Sequence, residues 1–271
     1  MDSKIKELLV KEHYNIDDLV EIVKILRSEN GCPWDKVQTH KSIKKDFLEE
    51  VYEVMEAIDC DSPEMMREEL GDVLLQVVFH TVIETEQKNF VLEDVTDDIC
   101  RKLIVRHPHV FGDVCADNVE QVLKNWDSIK KETKGQESYT DTLESVPKNF
   151  PALMRAQKLG KRSFRARTDY ENNKDGQLMA WNQAEHELVD LHENIECGSE
   201  DEMKSAFGDM LFACCNMARA IGIDAEEALS EANDRYIERF KSAEEKARQN
   251  GQEMSALSID KLDVLWREAD E

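Results

Sequence analysis

The residues best placed to do chemistry are five carboxylates in the stretch 47–78: Glu49, Glu50, Glu53, Glu69 and Asp72. Glu50 and Glu53 are three residues apart, and so are Glu69 and Asp72. Each pair therefore lies on one face of a helix, one turn apart. Carboxylates gathered in this way repel one another strongly unless a cation lies among them. The pattern predicts a metal site.

The ligand types indicate which metal this site would hold. Oxygen ligands without Cys or His at helical spacing favour a hard cation, Mg²⁺ or alternatively Mn²⁺. The Glu-x-x-His pattern of di-iron bundles is absent from both helices. Mg²⁺ bound by carboxylates usually leaves positions open for phosphate oxygens, so the sequence predicts phosphate chemistry. The competing interpretation is that these charges lie on a solvated helix face.

Two helices facing each other across a short turn would position the carboxylates. Ser62 is a good N-cap and Pro63 suits the first helical position, so a helix begins there. From Val73 to Ile83 that helix is apolar almost all round, which is typical of a buried central helix. Carboxylates one turn before a buried run would be partly desolvated. This location favours the metal site over the solvated face.

The chain resembles the MazG family of all-α nucleoside triphosphate pyrophosphohydrolases, over nearly its whole length. The resemblance rests on an ordered set of segments: EEVYE and EELGD at the carboxylates, GCPWDKVQTH (31–40), RHPHVF (106–111), PALMRAQK (151–158) and GDMLFACCNMAR (208–219). It implies hydrolysis of a nucleoside triphosphate at the α-phosphorus, giving the monophosphate and diphosphate. It also implies a homodimer.

The resemblance assigns roles to the five carboxylates and to several other residues. Glu50, Glu53, Glu69 and Asp72 would bind Mg²⁺, and Glu49 would bind a second ion or orient the attacking water. Basic residues near the end of a helix predicted over about 92–105 would contact the phosphates, and tryptophans would lie near the nucleotide. The implied substrate-binding residues are Lys102, Arg106, Trp126, Lys130 and Trp34.

Each of these binding residues also has a structural interpretation. Lys102 and Arg106 are four residues apart near a helix C-terminus, where the helix dipole favours cations. Two basic side chains one turn apart also suit a triphosphate, and we favour this second interpretation. Trp34 in its loop and Trp126 on its helix could instead be packing residues. The sequence favours packing for Trp126, and for Trp34 packing and nucleotide contact are about equally supported.

The second half of the chain repeats the first in weakened form. Glu50 and Glu53 are each matched 137 residues later, by Glu187 and Asp190. The same step takes Glu69 to Ala206, which has no metal-binding group. The degenerate second site comprises Glu187, Asp190, Asp209, Arg235, Arg239 and Trp266. The resemblance implies that the second repeat is the active one, but the residues favour the first.

Composition sets the class of protein and excludes some partners. The 271 residues carry a net charge of −24, which disfavours nucleic acid and anionic membranes as partners. The seven scattered cysteines form no CxxC pair, and no signal peptide is evident, so we expect a reduced, cytoplasmic protein. Few prolines and glycines and almost no alternating pattern predict an all-α fold. We expect two tandem helical-bundle repeats, 1–135 and 151–271, joined by a linker at 136–150.

The function predicted from the sequence is therefore Mg²⁺-dependent hydrolysis of a nucleoside triphosphate substrate. Two alternatives stay open. One is a related pyrophosphatase of the same superfamily, acting on dUTP or phosphoribosyl-ATP. The other is a non-catalytic, acidic helical scaffold, against which the complete first set of carboxylates argues.

Overall fold

A computed structural model describes residues 3–114, 118, 121, 122, 126, 129, 138–164 and 173–268. Every regular element in these ranges is a helix, so the predicted all-α fold is confirmed. The chain divides into two compact units, Met1–Ile129 (unit 1) and Lys130–Glu271 (unit 2). Among the described helices none is by itself long and apolar enough to cross a bilayer. One bent pair, Glu200–Ala220 with Ala225–Gln249, meets those criteria jointly.

Unit 1 contains six α-helices and one short 3-10 helix in its described part. They are α1 (Ser3–Leu9), α2 (Ile16–Arg27), the 3-10 helix Asp35–Val37, α3 (Lys44–Asp59), α4 (Pro63–Glu86), α5 (Leu92–Arg106) and α6 (Pro108–Phe111). The sequence predicts a helix that begins near Asn15, the two helices that carry the carboxylates and a helix over about 92–105, and these are α2 to α5. It does not predict α1, which has no buried residue. The sequence also predicts a helix over about 118–131, and most of that stretch lies outside the described residues.

The core of unit 1 lies between α2 and the second half of α4. Val23 of α2 is fully buried together with Val78 and Val82 of α4, and Ile43 packs into the same cluster from the segment before α3. Asn15 starts α2 with a capping box, in which its side chain accepts from the N–H of Asp18. The buried part of α4 lies within the apolar run that the sequence predicts as buried.

The turn between α3 and α4 determines how the carboxylates meet. Asp61 has φ of 47°, a left-handed conformation that Asp adopts more readily than most residues. Ser62 Oγ then accepts a hydrogen bond from the backbone N–H of Met65, and Pro63 is the first residue of α4. The predicted helix start is therefore present, and α3 and α4 run antiparallel as a helical hairpin.

Helix α5 is present where the sequence predicts a helix, and it leaves most of its apolar residues exposed. Leu92 at its start packs against the core, but Ile99 and Leu103 are exposed, and none of its residues is fully buried. The helix packs on α4 mainly near its own beginning. The rest of its apolar face is uncovered within the described part of unit 1.

Unit 2 also consists of helices in its described part. They are α7 (Tyr139–Glu144), α8 (Ala152–Ser163), α9 (Lys174–Cys197), α10 (Glu200–Ala220), α11 (Ala225–Gln249), the 3-10 helix Met254–Ala256 and α12 (Ile259–Glu268). Helix α7 falls within the stretch predicted as a linker and contacts α8. The exact domain boundaries stay a prediction.

The pair α9 and α10 resembles the pair α3 and α4 in its local details. Ser199 caps α10 as Ser62 caps α4, and the two serines are 137 residues apart. Gly208 follows Gly71 by the same interval, inside the second helix of each pair. These matches support the predicted tandem repeat.

Candidate metal and nucleotide site

Three carboxylates converge where α3 faces α4. Glu50 of α3 and Glu69 and Asp72 of α4 each contribute an oxygen, and the three oxygens lie within 4.8 Å of one another. All three residues are half-buried. They form the one group of metal-binding type that the described residues contain. The convergence predicted from the helical spacing therefore exists for these three.

The other two predicted carboxylates lie at the edge of this group. Glu53 is exposed, one turn after Glu50, and it hydrogen-bonds both Glu50 and Glu69. Glu49 is exposed and lies outside the converging trio. Helix geometry explains the difference, since adjacent positions on α3 are rotated by about 100° from one another. Glu53 can join the set by a side-chain rotation, whereas Glu49 starts from a different face.

Electrostatics within the group show that the carboxylates oppose one another. Burial, and then the nearby charges of Asp72 and Glu53, raise the pKa of Glu50 above its usual value. Burial and the hydrogen bond to Glu53 likewise raise the pKa of Glu69. A hydrogen bond between two carboxyl groups needs a proton on one of them. The group therefore holds protons more tightly than isolated glutamates do, and a cation would displace them.

Gln76 is a member of this site that the sequence reasoning missed. Its side chain hydrogen-bonds Glu50, and its own Oε1 is buried without a donor among the described residues. Gln76 follows Asp72 by four residues, which places both on one face of α4. This spacing was the available signal, although Gln76 stands inside an otherwise apolar run.

The donor set suits Mg²⁺ or Mn²⁺. Neighbouring oxygens around octahedral Mg²⁺ lie about 3–4 Å apart, so the three carboxylates need only small shifts to bind one ion. Three anionic ligands would exceed the charge of the ion, and phosphate groups of a substrate would still need basic partners. Because every ligand is a carboxylate oxygen, the site favours a hard divalent cation.

The predicted phosphate-binding residues are separate from the carboxylates in unit 1. Lys102 is exposed and lines a groove of about 740 Å³ with Phe90, Asp98 and Ile99. No hydrogen bond or ion pair joins Lys102 or Arg106 to the carboxylate group within the described ranges. Their role in binding phosphate therefore stays a prediction.

The predicted aromatic residues have different environments. The guanidinium of Arg106 lies 5.0 Å from the ring centroid of Trp126, which is a cation–π contact that fixes both side chains. Lys130 lies outside the described residues. Trp34 is 58% exposed, so it does not pack in the core. Of the two interpretations of Trp34, the structure disfavours packing.

The loop that carries Trp34 is attached to α4 by polar contacts. Arg27 donates from Nε and Nη2 to the carboxylate of Glu86, both at 2.8 Å, and from Nη1 to the backbone oxygens of Asp35 at 2.8 Å and Gln38 at 3.1 Å. Gly31 allows the tight entry, because a Cβ there would lie 2.3 Å from the oxygen of Ile25. These contacts therefore hold the loop in the conformation that exposes Trp34.

A pair of histidines makes a second attachment of the same loop. The Nδ1 atoms of His40 and His80 are 2.7 Å apart, and the ring planes differ by 6°, so the hydrogen bond lies in the plane of both rings. His40 Nε2 also contacts Glu84 at 2.6 Å. Burial and then His40 lower the pKa of His80. The sequence places His80 in an apolar helix run and so predicts that its side chain is hydrogen-bonded, and the structure gives it His40 as a partner.

In unit 2 the corresponding carboxylates do not converge. Glu187 accepts a hydrogen bond from Gln183 at 2.5 Å, and Asp190 lies 3.5 Å from His186. Ala206 is nearly buried in the place of Glu69. The described residues of unit 2, Asp209 among them, contain no group of side chains that converges as metal ligands would. This agrees with the predicted degeneracy of the second site.

The basic and aromatic residues of unit 2 do come together. Arg239 lies 4.6 Å from the ring centroid of Trp266 and donates from Nε to the backbone oxygen of that residue at 2.9 Å. Together with Arg235 and Tyr236 they line a cavity of about 270 Å³. The pairing of Arg239 with Trp266 matches that of Arg106 with Trp126. The two units therefore share this contact although only one has the converging carboxylates.

Comparison with known proteins identifies the family. Residues 38–111, which include the converging carboxylates, match the MazG nucleotide pyrophosphohydrolase domain. The chain is 40% identical over 253 residues to the nucleoside triphosphate pyrophosphohydrolase/pyrophosphatase MazG of Thermotoga maritima, covering 93% of this chain and 94% of that protein. It is 36% identical over 254 residues to the nucleoside triphosphate pyrophosphohydrolase of Escherichia coli K12, covering 93% and 96%.

A further relative is longer than this chain. The uncharacterized protein YabN of Bacillus subtilis is 43% identical over 250 residues, which is 92% of this chain and 50% of YabN. The chain thus spans half the length of YabN and nearly the full length of the other two relatives. It belongs to the MazG family of nucleotide pyrophosphohydrolases.

Proposed function

We propose that unit 1 hydrolyses nucleoside triphosphates to the monophosphate and diphosphate, with a hard divalent cation bound by Glu50, Glu69 and Asp72. The convergence of these three carboxylates carries the proposal, because a divalent cation bound there would screen a triphosphate from a chain of net charge −24. The relatives from Thermotoga maritima and Escherichia coli have names that state this activity.

The residues of the site would have different roles in this reaction. Mg²⁺, when bound, would screen the phosphates and stabilise the charge that develops at the α-phosphorus. Glu50, Glu69 and Asp72 would bind that ion. The side-chain hydrogen bond from Gln76 orients Glu50. Glu53 lies beside Glu50 and Glu69 and would accept a proton from an attacking water. Lys102 and Arg106 would bind the departing diphosphate.

The homodimer would complete this site. Val51, Leu70 and Leu74 form an exposed apolar face beside the carboxylates on α3 and α4. Gly71 stands among them inside α4 with open space around it, although a helix-interior glycine costs about 0.5–1 kcal/mol relative to alanine. Close approach of another helix would explain both features. We propose that a second copy covers this face and contributes basic residues to the carboxylates.

A pair of matched variants tests which unit is active. Glu69→Gln should lower kcat by about 100-fold or more, since losing a metal ligand costs several kcal/mol and 1.36 kcal/mol is a factor of ten. Asp209→Asn, at the equivalent of Asp72 in unit 2, should leave kcat within about twofold of the wild type. Release of monophosphate and diphosphate is measured with Mg²⁺, with Mn²⁺ and with excess EDTA. If Asp209→Asn is the inactive variant, unit 2 is the catalytic one.

The same assay separates the remaining alternatives. A panel containing the four nucleoside triphosphates, dUTP and phosphoribosyl-ATP reports the substrate class. Orthophosphate as the direct product, or full activity in EDTA, would contradict the proposed reaction. Failure to hydrolyse any compound would favour the acidic scaffold. A cytoplasmic location stays a prediction from the sequence.

A further inference from the structure

A cavity of about 410 Å³ in unit 2 is lined by basic side chains. Lys158 and Lys161 of α8 and Arg219 of α10 line it, together with Gln157 and with Asp224 at the start of α11. The two lysines are three residues apart and so lie on one face of α8. Three cations and one carboxylate around a cavity are unusual in this chain, whose net charge is −24.

Unit 1 contains a cavity at the equivalent place with the opposite charge. It has a volume of about 510 Å³ and lies among α2, α4 and the start of α5. Its charged lining residues are three acids and one base: Asp17, Glu21, Glu93 and Lys24. The 137-residue step that relates the metal ligands also relates these two cavities, since it takes Lys24 to Lys161 and Glu21 to Lys158.

The reversal of charge is concentrated at two positions. Glu21 is replaced by Lys158, and Val82, which is buried in unit 1, is replaced by Arg219. In unit 1 the acid is paired, because Glu21 accepts a hydrogen bond from Lys4 at 2.7 Å. In unit 2 neither Lys158 nor Lys161 forms an ion pair with any carboxylate in the described ranges. Lys158 and Lys161 therefore carry positive charge that no carboxylate in the described ranges neutralises through an ion pair.

The acids closest to this basic cavity are already occupied. Asp224 Oδ1 accepts from the backbone N–H groups of Glu226 and Glu227, at 3.0 and 3.1 Å, and so caps α11. Glu226 accepts from the backbone N–H of Met154 at 3.2 Å. Arg219 lies 5.8 Å from the ring centroid of Phe164, which restrains its guanidinium. The lysines remain the groups available to an external anion.

We propose that this cavity binds a small multivalent phosphate anion through Lys158, Lys161 and Arg219. The anion is either free diphosphate or the phosphate chain of a nucleotide, because both present closely spaced oxygens to three cations. The volume admits a diphosphate with room to spare. Binding here is independent of the carboxylates in unit 1 and of hydrolysis.

The test measures binding in the absence of metal, so that it does not depend on the proposed reaction. Isothermal titration calorimetry of the full chain with inorganic diphosphate is performed in EDTA at low ionic strength. Lys158→Gln/Lys161→Gln should raise Kd by about tenfold or more, because two charged contacts are lost. Lys174→Gln/Lys204→Gln removes the same charge from exposed lysines of unit 2 outside the cavity, and should change Kd by less than about twofold.

The outcomes divide clearly. A non-hydrolysable nucleoside triphosphate analogue that binds through the same two lysines, and more tightly than diphosphate, identifies a nucleotide as the ligand. Equal affinity for diphosphate identifies the free anion. The proposal is wrong if the wild type binds neither compound at millimolar concentration, or if both double variants lose affinity equally. Far-UV circular dichroism checks that each variant keeps its helices, and the conservative Lys158→Arg/Lys161→Arg variant should restore binding.

Discussion

Replacing Arg27 by methionine should destabilise unit 1 while keeping its packing. Arg27 is only 6% exposed at its side chain, and its guanidinium lies 5.1 Å from the ring centroid of Phe79. Methionine retains the apolar contact with that ring and removes all the donors. The change leaves the backbone oxygen of Gln38 unpaired and removes one of the two hydrogen bonds that the backbone oxygen of Asp35 accepts, the other coming from the N–H of Gln38. It also releases the carboxylate of Glu86.

The magnitude follows from how exposed each partner is. The two bonds to carbonyl oxygens contribute about 1–1.5 kcal/mol each, as hydrogen bonds from a buried charged donor. The carboxylate of Glu86 is 46% exposed, so its ion pair contributes at most about 1 kcal/mol. Arg27→Met should therefore lower the free energy of unfolding of unit 1 by about 3 kcal/mol. Glu86→Gln, which leaves both carbonyl contacts intact, should cost about 1 kcal/mol or less.

Urea unfolding followed by pulsed hydrogen exchange and mass spectrometry measures the free energy of unfolding of each unit separately. Peptides from residues 3–114 report unit 1, and those from 173–268 serve as the internal control. Peptides covering 28–43 should also exchange faster in native Arg27→Met, because the loop loses its attachment. A cost below about 1 kcal/mol, or an equal cost for Glu86→Gln, would refute the assignment of Arg27 as the anchor of the Trp34 loop.

Four further predictions concern the site. Glu53→Gln should abolish turnover and stabilise the metal-free protein near neutral pH. The pKa values of Glu50 and Glu69 are raised, so their ionisation costs stability as pH rises above the unfolded value, and the advantage of the variant should shrink as pH falls. Mg²⁺ binding should release protons in weakly acidic buffer, and calorimetry in buffers of different ionisation enthalpy measures that number. Lys102→Gln should weaken substrate binding with little change in the unfolding midpoint, as for an exposed charge. Gly71→Ala should weaken the homodimer in analytical ultracentrifugation.

Each of these has a clear contrary result. Wild-type kinetics in Glu53→Gln would remove Glu53 from the site, and a stability gain that is independent of pH would exclude carboxylate repulsion as its cause. Mg²⁺ binding without proton release would place the ion elsewhere. Unchanged kinetics with a large loss of stability would make Lys102 a structural residue. A Gly71→Ala protein that gains about 0.5–1 kcal/mol without any change in assembly would show that no helix approaches Gly71.

Local signals predicted the part of the structure that local physics decides. Asn15 and Ser62 mark the starts of α2 and α4, and the three-residue spacings bring Glu50, Glu69 and Asp72 together. Spacing could not tell that Glu49 would be left out. That depends on how α3 is rotated against α4, which the spacing of residues along one helix does not determine.

Contacts between distant residues carried no signal in the sequence. Arg27 meets Glu86 across 59 residues, and His40 meets His80 across 40. Neither pair belongs to a helical period, so no motif announces it. The exposure of α5 also carried no signal, because periodicity reports which face of a helix is apolar and not whether anything covers that face. The charge of the two cavities likewise appears only once the helices that line them are placed.

The attachment of the Trp34 loop has a consequence for how such a protein can diversify. Arg27 binds the backbone oxygens of Asp35 and Gln38, and every residue type supplies a backbone oxygen. Substitution of Lys36 or Val37, the latter 65% exposed, would alter the surface next to Trp34 and leave the anchor untouched. Selection can therefore change what this loop presents to a ligand without first having to find a new way of holding it.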